Sequence, residues 1–213
     1  NHTEYTGSLE IPDSVISIGK YAFYNCTGLD GILTLSESLI SIGSHSFERC
    51  SFKGSLIIPD SVEEIDSYAF SKCTFNGTLK LPKNLKTIPS YLFYQCSEFT
   101  GPLIIPDNVT EIGEYSFFKC GFNGTLIFPE NLEKAGESAF CRCSNLTSLK
   151  LNNKITEIEI SLFEDCVGLT GDLVIPDSVI VISGAAFQHC GFNGTLTLSK
   201  NLEEIYNLVF WDC

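Results

Sequence analysis

The sequence predicts a solenoid of nine short coils, each 23 or 24 residues long, and three observations lead to that fold class. First, one phrase recurs: CGFNGTL stands at 120–126 and again at 190–196, with near copies at 73–79 and 50–56. Second, the Gly-x-Leu that ends each phrase returns at an almost constant interval. Third, every interval carries one phenylalanine and one cysteine in the same place. A fixed period of this size is typical of stacked structural repeats.

The repeat can be laid out by numbering each coil from the residue that begins it. The coils begin at Gly7, Gly31, Gly54, Gly77, Gly101, Gly124, Thr147, Gly171 and Gly194. We call the residues at position n of successive coils row n, with the first residue as position zero. Row 2 is leucine, row 16 is phenylalanine and row 19 is cysteine in all nine coils. We therefore expect residues 1–213 to form a single solenoid that is part of a longer array.

Each coil is expected to begin with a short β-strand. The leucine of row 2 and a bulky apolar residue in row 4 alternate with a variable row 3, which is the pattern of a strand with one buried face. Proline commonly follows in row 5, where it would end strand pairing. Apolar residues in rows 8 and 11 allow a second short extended segment. The strands of neighbouring coils would pair in parallel at a spacing of about 4.8 Å.

The segment that carries the phenylalanine and the cysteine, YAFYNC at 21–26, is predicted to form one helical or 3₁₀ turn. This turn would direct both side chains inward. Because one coil is too small to bury its own apolar side, neighbouring coils must share one core. The coil that begins at Thr147 lacks both the glycine and the proline, so we expect a local irregularity there.

The composition narrows the function classes. Apolar residues make up 44% of the chain and charged residues 18%, which indicates a globular protein. The formal net charge of −13 argues against nucleic acid and anionic lipid as partners, because both require a basic surface. No run approaches the ~18 apolar residues of a membrane span.

Residues 9–26, LEIPDSVISIGKYAFYNC, resemble the BspA-type leucine-rich repeat, and the resemblance extends over all nine coils. It implies a curved leucine-rich-repeat solenoid with a parallel β-sheet of short strands, one per coil, and with extended segments and turns opposite. Proteins of this family are mostly surface or secreted proteins of bacteria and protists, and they are associated with adhesion. The resemblance therefore implies an extracellular or cell-surface location, and it carries no catalytic residues.

Ten cysteines in an extracellular chain suggest disulfides, yet nine of them recur once per coil. The coil spacing lies within disulfide range, but parallel side chains and an odd number disfavour bridges. We interpret row 19 as buried, reduced thiols that pack as small apolar groups. Cys141 lies in row 17, which should face solvent, and is expected to be a free reactive thiol. Cys141 and Cys143 alone do not make a zinc site, which needs about four ligands.

Two further sets of residues have both a functional and a structural interpretation. Acidic residues recur in row 6: Asp13, Glu37, Asp60, Asp107, Glu130 and Asp177. They could hold Ca²⁺, but Lys83 and Lys200 in the same row favour ion pairs between coils. Candidate N-glycosylation sites are Asn76, Asn108, Asn123, Asn145 and Asn193. Three of these five stand in Asn-Gly, which is also a turn dipeptide.

Two rows are candidate contact surfaces. Row 3 points away from the buried leucines and should be exposed to solvent, yet several of its residues are apolar. Its candidate ligand contacts are Ile57, Lys80, Ile104, Ile127, Lys150 and Val174. Exposed apolar stripes of this kind often mark interfaces, although β-propensity alone also explains them. The second candidate surface is row 14, with Tyr21, Tyr68, Tyr91 and Tyr115, where half-buried packing is the alternative.

These patterns predict a non-enzymatic interaction or adhesion module that binds a host or matrix protein, a glycan or another cell along the sheet face. The alternative is a structural stalk with no ligand of its own. The sequence offers no catalytic constellation, no metal site and no cofactor motif. No polar capping segment stands at either end, so we also expect the array to continue or to associate end to end.

Overall fold

A computed structural model describes residues 5–213 of the chain. Each coil makes one turn and returns one step further along the solenoid axis, so that residues 23 or 24 positions apart become neighbours, as Leu9 and Leu33 do. In chain order, strands β1 to β17 are Leu9–Glu10, Ser17–Ile18, Leu33–Thr34, Ser41–Ile42, Leu56–Ile57, Glu64–Ile65, Leu79–Lys80, Thr87–Ile88, Glu111–Ile112, Gly124–Ile127, Lys134–Ala135, Leu146–Lys150, Glu157–Ile158, Leu173–Val174, Val181–Ile182, Leu196–Thr197 and Glu204–Ile205.

The strands form two parallel ribbons along the solenoid. The first ribbon, from rows 2 and 3, contains the pairs β1–β3, β5–β7, β10–β12 and β14–β16. The second, from rows 10 and 11, contains β2–β4–β6, β8–β9–β11 and β13–β15–β17. The predicted solenoid of short parallel strands is therefore confirmed, and the second extended segment of every coil is itself a strand.

The third side of each coil consists of consecutive turns, and residues 5–213 contain no helix. The predicted helical or 3₁₀ turn is wrong because rows 14 and 18 adopt positive φ angles, as at Tyr21 (φ 59°) and Asn25 (φ 57°). A right-handed helix cannot continue through such residues. Instead, the N–H groups of Tyr21, Phe23 and Asn25 donate to carbonyls of the next coil at 2.7–3.0 Å. The third side is thus also hydrogen-bonded from coil to coil.

The core is a stack of phenylalanine rings that runs the length of the solenoid. Neighbouring row-16 rings lie 5.1–5.8 Å apart with interplanar angles of 3–16°. A second stack, which the sequence analysis missed, packs edge-on against the first at 6.0–6.4 Å. Its members are Phe52, Phe75, Phe99 and Phe122. The leucines and isoleucines of rows 2, 4, 8 and 11 complete a single hydrophobic cluster.

The cysteines of row 19 are free thiols, and all of them from Cys26 to Cys190 are buried. From Cys50 onwards, each Sγ donates to the carbonyl oxygen of the row-16 phenylalanine one coil earlier, at 3.0–3.1 Å. The thiol therefore links adjacent coils in addition to filling space.

Cys141 corrects the sequence analysis, because only 3% of it is exposed. Neighbouring side chains of row 17 pack on one another. Tyr94 stacks on Phe118 at 5.0 Å, and Cys141 is the next residue of that row. A small side chain between larger neighbours is covered by them. Burial raises the pKa of the Cys141 thiol to about 12, so it is not the reactive thiol that its row position suggested.

The coil that begins at Thr147 shows the irregularity that was expected. Strands β10 and β12 are the longest of the described chain, and their register shifts between Gly124 and Thr125. Asn152 occupies the place of the usual proline and is buried. Its Nδ2 donates to the carbonyls of Pro129 (2.6 Å) and Leu132 (2.7 Å). The missing proline is thus replaced by a hydrogen-bonded amide.

Candidate functional site

The solenoid presents three long surfaces. The first face consists of the outward rows 1 and 3 of the first ribbon, and the second face of rows 9 and 10 beside the second ribbon. The turn face consists of rows 14, 17 and 18. Within residues 5–213, no three His, Cys, Asp or Glu side chains gather as ligands of one metal ion. No helix in this described range is long and apolar enough to cross a membrane.

Row 3 lies on the outside of the first face, and its residues are exposed in all nine coils. The apolar members Ile57, Ile104, Ile127 and Val174 are exposed by 53%, 65%, 53% and 59%. Strand pairing places Lys80 directly beside Ile57, and Lys150 directly beside Ile127. The six candidate side chains therefore form one line in the order Ile, Lys, Ile, Ile, Lys, Val. The line spans about 24 Å over five coil steps.

Row 1 extends this surface sideways with residues that the sequence analysis did not select. Ile32 is 57% exposed, which adds an apolar side chain near one end of the line. Hydroxyl groups of the same row meet across coils: Ser55 and Thr78 lie 3.1 Å apart, and Thr125 and Ser148 lie 2.7 Å apart. The alternation of rows 1, 2 and 3 was the signal that could have identified Ile32. The first face thus combines an apolar line, two lysines and a border of hydroxyls.

Row 6 lies at the corner after the first ribbon and forms the expected ion pairs between coils. Asp60 accepts from the backbone N–H of Lys83 at 3.0 Å, and its other oxygen lies 3.3 Å from Lys83 Nζ. Asp177 and Lys200 repeat this arrangement at 2.9 and 3.6 Å. These backbone hydrogen bonds lower the pKa values of Asp60 and Asp177, with the lysine charges contributing further. The carboxylates of these two residues therefore tie neighbouring coils together.

On the turn face, the row-14 tyrosines form a continuous stack. Tyr21, His45, Tyr68, Tyr91 and Tyr115 follow one another at ring distances of 4.7, 4.6, 4.6 and 5.0 Å. Each inner ring of the stack is therefore covered on both faces by its neighbours, so no inner ring face is open to a ligand. Tyr21 is half exposed, and the other four rings are partly buried. The packing that was the alternative for this row is therefore present.

The turn face also contains basic side chains that the sequence analysis missed. Row 18 holds four of the thirteen lysines and arginines of the chain: Arg49, Lys72, Lys119 and Arg142. The Lys72 ammonium lies 5.6 Å from the Tyr94 ring, and the Arg142 guanidinium lies 5.8 Å from Phe118. Reading row 18 through the repeat, as was done for rows 3 and 14, would have revealed this row of cations. It gives an acidic chain one locally basic strip.

The five candidate glycosylation sites are all exposed, but their amide groups are used differently. Asn76 and Asn193 accept backbone hydrogen bonds through Oδ1, at 2.7 and 3.0 Å. Asn108 and Asn145 instead donate through Nδ2, at 3.0 and 3.3 Å. Since a glycan is attached at Nδ2, the geometry favours Asn76 and Asn193 as acceptors over Asn108 and Asn145.

Comparison with known proteins identifies the repeat. The family model described as "BspA type Leucine rich repeat region (6 copies)" matches residues 1–120 and 101–213. No curated protein matches the chain in sequence.

Solved structures with the same architecture include two bacterial proteins. A leucine-rich repeat protein of T. pallidum, TpLRR, is 25% identical, with a TM-score of 0.65 over 77% of this chain and 78% of its own. The pneumococcal vaccine antigen PcpA is 24% identical, with a TM-score of 0.54 over 94% of this chain and 56% of its own.

Proposed function

Because the chain belongs to the BspA-type leucine-rich repeat family, we propose that it is a non-enzymatic interaction module of a secreted or cell-surface protein, and that its first face binds a protein on a host cell or in the surrounding matrix. The observation that carries this proposal is the line of six exposed row-3 side chains, from Ile57 to Val174.

The energy available from this line supports a real but modest interface. Fully burying an exposed isoleucine or valine contributes about 1.5–3 kcal/mol, and each of the four apolar members is a little over half exposed. Covering all four would therefore contribute about 3–7 kcal/mol, before the costs of association are subtracted. Affinity must consequently come from contacts added along several coils. Lys80 and Lys150 would select a partner that places carboxylates opposite them.

The proposal can be tested with charge substitutions on two faces. Ile57→Asp, Ile104→Asp and Ile127→Asp together would place three carboxylates in the apolar line without touching the core. The matched control is Ile16→Asp, Ile40→Asp and Ile180→Asp, which changes three exposed isoleucines of the second face. Binding of each variant to matrix-coated surfaces and to cultured host cells would be measured, with circular dichroism as the check on folding.

The first-face variant is expected to lose binding by tenfold or more, about 1.4 kcal/mol, while the control binds like the wild-type chain. Equal binding by both variants would show that the first face is not the contact surface.

A structural spacer is the second candidate function, and the unbroken aromatic stack favours it. Hydrogen bonds on all three sides and stacked rings in every coil make a stiff rod of roughly 40 Å. A pure spacer would bind neither matrix nor cells in the wild-type form. That result would replace the interaction module by the spacer.

A further inference from the structure

The turn face carries a row of basic residues that has no part in the function proposed for the first face. The four basic residues of row 18 lie in coils two, three, five and six, in single file along the solenoid axis. Their backbones are held in place, because the N–H of each donates to a carbonyl of the next coil at 2.7–2.9 Å. At one coil step of about 4.8 Å, the row extends roughly 19 Å. The row therefore places four basic side chains on a fixed backbone, with the neutral Gln95 between Lys72 and Lys119.

Half of this row is free to meet an external anion. Arg49 lies 3.6 Å from Glu48, and Arg142 donates to Asp165 at 3.0 Å. Lys72 and Lys119, by contrast, take part in no ion pair within residues 5–213. The Lys72 ammonium is positioned over the Tyr94 ring at 5.6 Å, and Lys119 is exposed. The uncompensated charge of this row is therefore that of Lys72 and Lys119, and each of the two flanking arginines is paired with one carboxylate.

The aromatic rows beside this strip narrow the chemistry of the ligand. Tyr68 is covered on one face by His45 and on the other by Tyr91, each at 4.6 Å. A base of single-stranded nucleic acid needs an open ring face to stack on, and this stack offers none inside its length. What it offers is a row of hydroxyl groups and ring edges, which suits the hydroxyls of a sugar chain.

The neighbouring charges disfavour a membrane. Row 13 borders row 14 and carries Glu114 and Glu137, and Tyr115 donates to Glu137 at 2.9 Å. A flat anionic bilayer laid on this face would bring these carboxylates close to lipid phosphates, on a chain whose formal net charge is −13. A single narrow polymer over row 18 covers less of the face, and the two carboxylates that it meets there, Glu48 and Asp165, are already paired with Arg49 and Arg142.

We propose that the turn face binds a linear sulfated glycan, of the glycosaminoglycan class, along row 18. Sulfate groups contact Lys72 and Lys119 directly and the two arginines at their exposed edges, while tyrosine hydroxyls of row 14 contact sugar hydroxyls. This site is separate from the first face, so either can fail without the other.

The test uses heparin and desulfated heparin as probes at 0.15 M salt, with binding measured by surface plasmon resonance. The variant Lys72→Gln/Lys119→Gln removes the two unpaired charges. The control Lys86→Gln/Lys154→Gln removes the same charge from exposed residues outside the turn face. A loss of about tenfold in affinity is expected for the first variant and less than twofold for the control. Desulfated heparin should not bind.

A variant that adds a positive charge to row 18 provides a second test, because it should increase the affinity for heparin. Gln95 fills the gap in row 18 between Lys72 and Lys119. Gln95→Lys should therefore tighten heparin binding by about threefold or more, whereas Thr87→Lys on the second face should not. The proposal is overturned if the wild-type chain does not bind heparin, if the turn-face and control lysines matter equally, or if poly(U) or phosphatidylserine vesicles bind more tightly than heparin.

Discussion

The buried thiols should make this fold unusually sensitive to alkali. Burial raises the pKa of four of them, Cys50, Cys96, Cys141 and Cys143, from 9.0 to about 12. It also raises the pKa values of Cys73, Cys120, Cys166 and Cys190. A thiolate in the core would lose its hydrogen bond to the neighbouring coil and would be poorly solvated. Ionisation of these groups is therefore coupled to unfolding.

The sign of the effect follows from which state binds more protons. Below pH 9 the thiols are protonated in both states, and they contribute nothing to the pH dependence. Between pH 9 and pH 12 the unfolded chain loses protons that the folded chain keeps, so the free energy of unfolding falls as the pH rises. Each thiol contributes about 1.4 kcal/mol per pH unit, and the four named thiols together contribute about 5–6. A total stability of about 5–15 kcal/mol would thus be exhausted between about pH 10 and pH 12.

The assay is urea unfolding followed by circular dichroism at several pH values from 7 to 10.5, with a reducing agent present. The double variant Cys96→Ala/Cys143→Ala removes two of the thiols. Its free energy of unfolding should fall with pH by about 2.8 kcal/mol per unit less than that of the wild-type chain above pH 9. Both should be independent of thiol ionisation at pH 7–8. Equal slopes for the two proteins would refute the coupling, as would a wild-type chain equally stable at pH 8 and 10.5.

Two further outcomes follow from the core. Phe93→Ala should reduce the free energy of unfolding by about 3–5 kcal/mol in urea titrations, because the ring contacts Phe70, Phe99 and Phe117, whereas Phe23→Ala in the first coil should cost about half as much. Equal losses would contradict the stacked core. At pH 8 a thiol reagent should modify Cys213, the exposed thiol, within minutes, and the buried ones only in urea. Mass spectrometry that finds Cys141 labelled as fast as Cys213 would contradict its burial.

The phenylalanine stack and the cysteine column of the core could be predicted, because each of these rows holds the same residue in every coil. Row 16 and row 19 carry phenylalanine and cysteine without exception, and a side chain that recurs in every coil must meet its own copy in the next. The stack of rings and the column of thiols follow from that periodicity. The second stack, at Phe52 and its equivalents, could also have been predicted. It lies near the end of the coil, where coils of 23 and 24 residues differ in length, so its members do not all have the same position number.

Row 17 shows where row-by-row reasoning fails. Cys141 was assigned to solvent because row 17, next to the inward phenylalanine of row 16, was expected to face outward. Positive φ angles at Ser138 and Arg142, on either side of Cys141, rule out the predicted helical turn, and the Cys141 side chain is buried. Backbone conformations of this kind are usual for glycine and rare for serine or arginine, so residue types did not signal them.

The sequence alone determined which residues stand side by side along the solenoid, because a constant period brings equivalent positions together whatever the shape of each coil. It thereby defined the core and the row of exposed isoleucines on the first face. Only the tertiary structure decided how rows 14, 17 and 18 are turned relative to one another. Their orientation depends on residues with positive φ angles and on backbone hydrogen bonds to the next coil. Neither feature can be predicted from the pattern of apolar and polar residues.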